Sequence, residues 1–463
     1  MNHGNSQIFK VSLYLKLKEE ERKKKMKFYA VGGFSEVGKN MVAMEMKNGK
    51  TFIVDEGLYL PPIVELEEGK HVPARLREIG ALPNDSILSK IKSRIKAQII
   101  GHAHLDHVGA VPYLEKSYKA DIYGTPFTME VLNALARDND IKLQNKKRVI
   151  MPNSSLNVEG TEVEFLHVTH STLQTAIVAV HDEEGPMVYA NDFKFDNTPV
   201  IGKKPDYAKL KKLASKGVHT LVVDALYAGA EQKTPSEKIA RDMLGDVLLN
   251  TNNEDACIVV TTFSSHIARL KSIVDFGKQM DRKILFLGRS LYKYVNAAVR
   301  CNLIDFHRDI EMHSYRKDVK KAMKQVNEKR SKYLLVCTGH QGEPGSVLVR
   351  MANDQLPFKL KPQDHVIFSS KTIPAPINIA NKNALDKKLR ENNIRIFSDV
   401  HVSGHASKED LRDIITMLKP KHIIPAHGDM PKLSTLAQLC VEMGYDIGKN
   451  VHLVQDGQSL ELK

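Results

Sequence analysis

The sequence contains no tryptophan and little cysteine. Its four cysteines, Cys257, Cys301, Cys337 and Cys440, are far apart and form no Cys-x-x-Cys pair. This spacing excludes a zinc ribbon and a disulfide framework, so we expect four reduced, buried thiols. Any metal site must therefore use histidine and carboxylate ligands. Without tryptophan, stacking on nucleic-acid bases would depend on tyrosine, phenylalanine, histidine or arginine side chains.

Long hydrophobic runs are also absent. No window of about eighteen apolar residues occurs in the sequence, which argues against a membrane-spanning helix. The N-terminus has no apolar stretch followed by small residues, as a secretory signal would need. We therefore expect a cytoplasmic protein without a membrane partner. Residues 1–25 end in a charged run and are interpreted as an N-terminal extension without an assigned role.

The composition is that of a large globular protein with excess positive charge. With 463 residues and 42% hydrophobic residues, the chain is long enough for two or three domains. Lysine and arginine number 68 against 55 aspartates and glutamates, a formal net charge of +13. This excess raises the affinity for polyanions, although solvated faces of many proteins carry a similar excess.

The most specific motif is a His-x-His-x-Asp-His segment. It places His102, His104, Asp106 and His107 directly after the apolar run 97–100. Alternate residues of an extended chain share one face, so His102 and His104 point the same way. Asp106 and His107 follow on a turn and can face a second ion. The segment therefore predicts the beginning of two metal sites.

Three more candidate ligands follow short runs that read as strands, namely His170, Asp192 and His427. Taken singly, they have ordinary explanations as a turn cap, the start of a loop and a buried histidine. Taken together, they complete a two-metal hypothesis. One ion is held by His102, His104 and His170, the other by Asp106, His107 and His427, and Asp192 bridges them. Two ions about 3.5–4 Å apart can promote an in-line displacement at phosphorus.

These residues resemble the metallo-β-lactamase-fold nucleases that carry a β-CASP insertion, and within them the ribonuclease J family in its archaeal form. The resemblance extends over residues 26–463. Its metal motifs are matched by Asp55, residues 102–107, His170, Asp192 and His427, and its β-CASP motifs by Asp224 and by His405 within residues 401–406. Segments 262–266, 288–290 and 338–344 are also similar. Two departures are Asn191, where the family usually has glycine, and residues 171–174.

The resemblance implies an α/β fold, a metallo-β-lactamase αββα sandwich with an inserted β-CASP α/β domain. We expect the first part of the sandwich at 26–225, the β-CASP domain at 226–395 and a return segment at 396–463. Short apolar runs such as 257–261 and 333–337 suit a parallel sheet covered on both faces. We interpret residues 60–85 as a surface excursion, and between it and Asp224 we expect strands to alternate with helices. The active site should lie in the cleft between the two domains.

The resemblance also implies roles for individual residues. His405 would protonate the departing 3′-oxygen and Asp224 would orient it, with Asp106 as a further member of the catalytic set. Asp55 would orient a neighbouring ligand through a hydrogen bond. The alternatives are a helix-entry residue for His405 and an ordinary turn aspartate for Asp55. Two divalent ions are implied, with Zn²⁺ expected and Mn²⁺ as the alternative, because His and Asp sites accept either ion.

An exonuclease that acts from the 5′ end needs a pocket for the terminal phosphate near the metals. Hydroxyls, close backbone N–H groups and one cation would supply it. The candidate residues are Ser264, Ser265, Arg289, Ser290, His401, Ser403 and Gly404. The structural alternative is that Gly- and Ser-rich loops occur in any doubly wound sheet.

The implied function is that of a metal-dependent hydrolase, a 5′→3′ exoribonuclease that prefers 5′-monophosphate RNA and has some endonuclease activity. Its partner would be single-stranded RNA, in RNA degradation and processing, and we expect a homodimer. Two alternatives stay open, a catalytically weak RNA-binding homologue and a DNA-directed β-CASP nuclease. Contacts to a 2′-hydroxyl cannot be read from the sequence, so the sequence does not separate RNA from DNA.

Overall fold

The computed structural model describes residues 25–64 and 72–463. The predicted N-terminal extension lies outside these residues except for Lys25. The first part of the chain forms β1 Met26–Gly32, β2 Met41–Glu45, β3 Thr51–Val54, α1 Pro61–Val64, α2 Pro73–Glu78, β4 Ile95–Ile100, α3 Leu105–Val108, α4 Val111–Leu114, β5 Asp121–Gly124, α5 Pro126–Asp138, β6 Lys147–Val149, β7 Ser154–Val158, β8 Thr161–His167, β9 Ala176–Val180, β10 Met187–Ala190, α6 Tyr207–Ala214 and β11 Thr220–Asp224.

The remaining elements form an inserted domain and a return to the first one. The insertion contains α7 Glu237–Leu249, β12 Ile258–Thr261, α8 Ile267–Gln279, β13 Lys283–Leu287, α9 Arg289–Arg300, β14 Ile310–His313, α10 Arg316–Glu328, β15 Tyr333–Cys337, α11 Val347–Ala352, β16 His365–Phe368, α12 Pro376–Glu391 and β17 Arg395–Phe397. The return segment contains α13 Lys408–Leu418, β18 His422–Ala426, α14 Met430–Glu442 and β19 Gln458–Leu462. Short 3₁₀ segments occur at Asp85–Arg94, Glu115–Ser117, Phe306–Asp309 and Arg330–Lys332.

Two facing sheets make the first domain. One has the order β19-β1-β2-β3-β4-β5-β6 and the other β18-β11-β10-β9-β8-β7. Their inner faces share one hydrophobic core that includes Phe28, Phe52 and Phe165. Leu411 of α13 and Leu433 of α14 belong to the same hydrophobic cluster. The return segment thus completes both sheets of an αββα sandwich, since β19 joins the first sheet and β18 joins the second.

The inserted domain is a doubly wound parallel sheet. Its order is β14-β13-β15-β12-β16-β17, and each of its strand pairs is parallel. One face packs on α8 and α9 through Ile273 and Val295, and the other on α10 and α11 through Val319 and Leu348. Phe127 of α5 belongs to the same hydrophobic cluster as Ile273 and Val295, so apolar packing fixes the insertion against the sandwich. The predicted fold class is confirmed.

One local prediction was wrong. Strands and helices do not alternate between β6 and β10, because β7, β8, β9 and β10 form an antiparallel meander. Its first turn uses Glu159 and Gly160, both with positive φ, which suits a tight hairpin. The segment 60–85, interpreted as a surface excursion, contains α2, in which Leu76 is fully buried in the core that also includes Ile53 and the other residues are exposed. Within the described residues, no helix is long and apolar enough to span a membrane.

Candidate metal centre and active-site cavity

The candidate ligands meet because parallel strands end at a common edge. β3 and β4 run parallel in one sheet, and β10, β11 and β18 run parallel in the other. His102 and His104 follow β4, Asp192 follows β10 and His427 follows β18. Asp224 is the last residue of β11. The carboxyl ends of the parallel strands in both sheets therefore place these side chains in one region, as for ligand sites in other α/β folds.

Asp192 stands between two groups of side chains. Its Oδ2 lies 3.3 Å from His102 Nε2 and 3.4 Å from His170 Nε2. His104 Nδ1 is 3.9 Å from the same oxygen and 3.0 Å from His170 Nε2. The ligand atoms of His102, His104, His170 and Asp192 lie within 4.8 Å of one another. The structure thus assembles the first predicted ligand group around one carboxylate oxygen.

The second group faces the other oxygen of Asp192. Its Oδ1 lies 3.3 Å from His107 Nε2 and 3.7 Å from His427 Nδ1. Asp106 Oδ2 is 3.5 Å from His107 Nε2, and Asp106, His107 and His427 form a second cluster within 4.8 Å. Asp106 and His107 lie in α3, a single helical turn that begins after His104. One carboxylate oxygen therefore faces each group, as a bridging ligand requires.

The donor atoms fit divalent cations. His102 Nε2 and Asp192 Oδ1 are buried and have no hydrogen-bond partner among the described residues, although buried polar atoms are normally paired. Burial lowers the pKa of His102 to about 4 and holds the pKa of His170 well below its usual value. Both rings are therefore neutral near pH 7 and offer lone pairs, the form of imidazole that binds metals.

The charge balance also favours cations. Burial opposes ionisation of Asp106 and Asp192, but the surrounding imidazoles lower the pKa of both carboxyl groups. Burial likewise opposes protonation of His107, yet Asp192, Asp106 and Asp55 raise the pKa of this imidazole well above its usual value. The buried carboxylates thus favour positive charge at this point, whether a proton or a metal ion carries it.

Hydrogen bonds from behind fix the orientation of two candidate ligands. His107 Nδ1 lies 2.7 Å from Asp55 Oδ2, and Asp55 Oδ1 accepts a hydrogen bond from Gly101 N at 2.8 Å. His170 Nδ1 lies 2.7 Å from the carbonyl oxygen of Gly404. In each ring the opposite nitrogen then faces Asp192. Such outer contacts set the tautomer and direction of metal-binding histidines.

Asn40 is a site residue that the sequence reasoning missed. This buried side chain donates to Asp106 O at 3.1 Å, and its Oδ1 lies 3.0 Å from His427 Nδ1. Asn191 Nδ2 donates to Asn40 Oδ1 at 3.0 Å and to Tyr189 OH at 2.9 Å. Asn191, which stands where the family usually has glycine, therefore helps to position the Asn40 side chain. No motif marks Asn40; its only signal is a polar residue directly before β2.

His405 and Asp224 form a hydrogen-bonded pair beside Asp192. His405 Nδ1 lies 2.8 Å from Asp224 Oδ2, and His405 Nε2 lies 3.9 Å from Asp192 Oδ2. Burial lowers the pKa of His405, but the carboxylates of Asp192 and Asp224 outweigh it and raise the pKa to about 9. Leu226 N donates to Asp224 Oδ1 at 2.8 Å, and Thr234 Oγ1 donates to the carbonyl oxygen of His405 at 2.8 Å. The pair is thus anchored at both ends.

A cavity of about 1040 Å³ opens between the sandwich and the insertion. Its lining includes His104, Asp106, Asp192, His405 and His427. The seven residues predicted to hold a terminal phosphate also line it, namely Ser264, Ser265, Arg289, Ser290, His401, Ser403 and Gly404. The structure therefore brings the predicted pocket residues and the metal cluster to one cavity.

Several pocket residues contact the metal cluster. Ser265 Oγ lies 3.1 Å from His104 Nε2, so the insertion reaches the first ligand group. Ser403 Oγ accepts a hydrogen bond from His405 N at 3.0 Å. A side chain at Gly404 would meet Ser171 and His170 at about 3 Å, which explains glycine here. The hydroxyl of Ser264 is buried without a partner among the described residues, whereas Arg289 and Ser290 are exposed at the start of α9.

Arg269 is a second residue that the sequence reasoning missed. It is fully buried and pairs with Glu237 through Nε–Oε1 and Nη2–Oε2 contacts of 2.6 and 2.8 Å. Its Nη1 donates to Ser369 O at 2.8 Å and to His401 Nδ1 at 3.3 Å. Burial and the charge of Arg269 lower the pKa of His401 to about 2. His401 is therefore neutral, with its remaining N–H on Nε2.

The sandwich, the inserted sheet and the His/Asp cluster define a metallohydrolase of the metallo-β-lactamase type with a β-CASP insertion. Family profiles agree in order along the chain. The metallo-β-lactamase superfamily matches residues 36–241, the ribonuclease J β-CASP domain matches 255–398, and the Zn-dependent metallo-hydrolase RNA specificity domain matches 393–454.

Full-length relatives narrow this class to one family. The chain is 39% identical to "Ribonuclease J" of Methanocaldococcus jannaschii over 95% of this chain and 99% of that protein. It is 41% identical to "Ribonuclease J" of Pyrococcus abyssi over 94% of this chain and 97% of that protein. The chain belongs to the ribonuclease J family.

A solved structure supports the fold independently. A protein of unknown function from Enterococcus faecalis superposes with a TM-score of 0.63 at 16% sequence identity, over 95% of this chain and all of that one. At this identity the likeness concerns the fold alone.

Proposed function

We propose that this protein is a metal-dependent ribonuclease that degrades single-stranded RNA from the 5′ end and prefers a 5′-monophosphate. One observation carries the proposal. The His405–Asp224 pair stands 3.9 Å from Asp192, inside the cavity that also holds the predicted phosphate residues. The "Ribonuclease J" relatives and the matched RNA specificity domain support RNA as the substrate.

Two ligand groups would hold the divalent ions, joined by Asp192. The first is His102, His104 and His170, and the second is Asp106, His107 and His427. When bound, the ions would supply a nucleophile at neutral pH and stabilise negative charge on the scissile phosphate. We propose Zn²⁺ because imidazole-rich sites suit it, with Mn²⁺ as the alternative, and one of the matched profiles names zinc.

His405 would serve as the general acid. Its Nε2 faces the cavity beside Asp192, while Nδ1 is held by Asp224. An imidazolium at this position can give its Nε2 proton to the departing 3′-oxygen, and the negative charge of Asp224 favours the protonated ring. Proton transfer by a positioned side chain contributes about 10²–10⁴-fold in rate.

The 5′-phosphate would occupy the part of the cavity lined by serines and glycine. The hydroxyl of Ser264, which has no partner among the described residues, and the Nε2–H of His401 can donate to phosphate oxygens. Arg289 adds positive charge at the rim. A pocket of this kind measures the cleavage distance from the RNA end. Internal cleavage would not use it, which leaves room for endonuclease activity.

A time course with 5′-labelled and internally labelled RNA and DNA tests the reaction class. We expect mononucleotides from 5′-monophosphate RNA, loss of activity with a chelator, and recovery with added Zn²⁺ or Mn²⁺. His104→Ala and Asp192→Ala should abolish cleavage and largely keep RNA affinity, which comes mainly from phosphate contacts. Unimpaired turnover in either variant would contradict the two-metal site. Faster cleavage of DNA than of RNA would indicate that DNA is the substrate.

The pocket is tested by the ratio of rates on 5′-monophosphate and 5′-triphosphate RNA. We expect the monophosphate to be degraded faster, since a triphosphate adds bulk and charge to a closed site. Arg289→Ala should shrink this ratio and spare internal cleavage, and Ser403→Ala should shrink the ratio as well. Arg300→Ala, at the far end of the same helix α9, is the matched control and should leave the ratio unchanged. An unaltered ratio in both Arg289→Ala and Ser403→Ala would show that the terminal phosphate binds elsewhere.

We further propose a homodimer in the cytoplasm and the domain division 26–225, 226–397 and 398–463, which keeps β17 with the sheet of the insertion. Exposed apolar side chains on α7, Ile239, Met243 and Leu249, support self-association through the insertion. Sedimentation equilibrium would measure the mass in solution, and a monomer at micromolar concentration would contradict the dimer.

A further inference from the structure

Helix α10 of the insertion carries its cations on one face. Its buried residues are Val319, Ala322, Met323 and Val326. Its exposed basic residues are Arg316, Lys317, Lys320, Lys321 and Lys324. At about 100° per residue, the cations span an arc of roughly 140° and the buried residues a separate arc of roughly 100°. Asp318 lies outside the cation arc, and the one acidic residue within it is Glu328, the last residue of the helix, one turn beyond Lys324.

The four lysines of this face make no ion pair or side-chain hydrogen bond with the described part of the chain. Neighbouring helices differ. Lys271 of α8 bonds Asp275 one turn away at 2.9 Å, and Lys382 of α12 pairs with Asp386. On α10 the residue one turn from a lysine is often another cation, and like charges at this spacing destabilise a helix. A bound polyanion would relieve that repulsion.

The cation face begins at the active-site cavity. Ser314, Tyr315, Arg316 and Val319 belong to the cavity lining. Tyr315 precedes the helix and is 68% exposed, which is unusual for an aromatic side chain with a planar face to bury. From Arg316 the face runs about 12 Å along the helix axis to Lys324. Aromatic and basic residues are thus arranged in one track that leads out of the cavity.

We propose that α10 binds the single-stranded RNA that extends beyond the cavity. Tyr315 stacks on a base where the strand crosses the rim, and Lys317, Lys320, Lys321 and Lys324 neutralise successive phosphates. Sequence-independent binding of single strands uses this combination of stacking and basic grooves. The inference rests on the proposed function for the identity of the strand. It adds a surface that distinguishes long RNA from short RNA, separate from the metal centre and the phosphate pocket.

The test compares a quadruple variant, with Lys317, Lys320, Lys321 and Lys324 each changed to Gln, on long and short RNA. Affinity is measured by fluorescence anisotropy in the metal-loaded His405→Ala background, in which turnover should be about 10²–10⁴-fold slower. The quadruple variant should bind a 20-nucleotide RNA about tenfold or more weakly. The slope of log Kd against log salt should fall by about 0.7 for each phosphate that is no longer neutralised. Cleavage of a 5′-phosphorylated tetranucleotide, measured with His405 present, should keep its rate.

The matched control changes Lys203, Lys204, Lys211 and Lys212 to Gln, four exposed lysines of the sandwich that do not line the cavity. It removes the same charge and should leave binding of both RNAs within about twofold. An equal loss in the control would reduce the effect to net charge and overturn the proposal. Slower cleavage of the tetranucleotide by the α10 variant would overturn it too, since the surface would then act through the active site.

Tyr315 gives an independent readout. Tyr315→Ala should weaken binding of the long RNA by about fivefold or more, the range expected for one stacked base, whereas Tyr315→Phe should bind like the wild type. Equal losses in both would exclude stacking. If the wild type binds 20-nucleotide RNA through α10 but cleaves none, the ribonuclease proposal fails and this surface stands. If it cleaves RNA but the α10 variant binds normally, the surface fails and the ribonuclease proposal stands.

Discussion

At the scale of single residues, the candidate metal centre uses backbone conformations that most side chains avoid. Asp55 and His427 have φ values of +61° and +60°, in the left-handed region that costs energy for residues other than glycine. Backbone hydrogen bonds hold both in place, from Asp55 N to Ile99 O at 2.8 Å and from His427 N to Gly33 O at 2.7 Å. Such conformations persist when the surroundings enforce them, and here they aim two side chains at the cluster.

The first prediction concerns Asp55. Asp55→Asn keeps the size of the side chain but weakens the contact that orients His107, so metal affinity should fall by about 10–100-fold. Competition with a fluorescent chelator measures this affinity. Asp246→Asn, on the surface of α7, is the control and should bind metal like the wild type. Unchanged affinity in Asp55→Asn would leave Asp55 as an ordinary turn residue.

The second prediction separates the proposed acid from the ligands. His405→Ala should lower the single-turnover rate by about 10²–10⁴-fold with normal metal content, because the acid is lost but the ligands stay. Asp224→Asn should slow the reaction in the same direction, since His405 loses the carboxylate that holds its Nδ1. Elemental analysis accompanies the rates. Loss of metal in His405→Ala would show that His405 is a metal ligand. Wild-type rates in Asp224→Asn would show that Asp224 is not needed to orient His405.

At the scale of elements, the sequence revealed the ligands at the ends of strands, but it did not reveal the residues that contact the site from elsewhere in the chain. Short apolar runs that stop at His or Asp are a local pattern, so the positions of His102, Asp192 and His427 could be foreseen. Asn40 and Arg269 could not, because their partners are distant in sequence and no period marks them. Likewise β14 was missed, since this edge strand is only partly buried and contains His and Glu.

The meander β7–β10 shows a further limit of local patterns. Its strands alternate or are fully apolar, much like the parallel strands before them. The direction of pairing depends on the connections, and a hairpin turn at Glu159 and Gly160 replaces the expected helix. Fold class was foreseeable from the resemblance carried by the motifs, whereas the order of helices between them required the structure.

The third prediction concerns the junction of α7 and α8. Arg269→Met leaves Glu237 buried without its partner and should lower the free energy of unfolding by about 3–5 kcal/mol. Changing both residues to Met removes the uncompensated charge and should recover most of that loss. Arg241→Met is the control, because Arg241 joins the same two helices through a partly exposed pair with Asp275 at 2.7 Å. It should cost about 1 kcal/mol or less.

Urea titrations at fixed metal concentration would provide these free energies. A loss in Arg269→Met no larger than in Arg241→Met would contradict the role of the buried pair. The junction also matters for the cavity, since Arg269 fixes the tautomer of His401 through the contact at 3.3 Å. Elements that hold the fold together here also orient a proposed phosphate ligand.

At the scale of the whole molecule, function requires the two domains to close over one cavity. A hydrophobic cluster shared by α5, α8 and α9 supplies the apolar part of the junction. Polar contacts supply the rest, such as Ser265 Oγ to His104 Nε2 at 3.1 Å and Tyr294 OH to Ala103 O at 3.3 Å. The metal ligands come from the sandwich, whereas Ser264, Ser265, Arg289 and Ser290 of the phosphate pocket come from the insertion, so neither domain alone presents the complete cavity.

Buried and partly buried histidines in both domains make stability depend on pH, and this gives the last prediction. Burial lowers the pKa of His219, His452 and His365 to about 4, with further lowering by nearby positive groups. In the unfolded chain an imidazole titrates near 6.5. Between about pH 6.5 and 4 the unfolded state therefore binds more protons. The stabilisation is complete above about pH 6.5 and is lost as the pH falls through this window.

Each of these imidazoles lowers the free energy of unfolding by up to about 1.4 kcal/mol per pH unit in that window. Glu36 acts in the opposite sense, because burial and Asp456 raise the pKa of its carboxyl group to about 7, so the comparison must be made between variants. A variant with His219, His365 and His452 changed to Gln should show a shallower decline from pH 6.5 to 4.5 than the wild type. Between pH 7.5 and 8.5 its difference from the wild type should be constant. Parallel declines across the acid range would show that these histidines are protonated equally in the folded and unfolded states. That result would contradict the burial of His219 and His365 and the partial burial of His452.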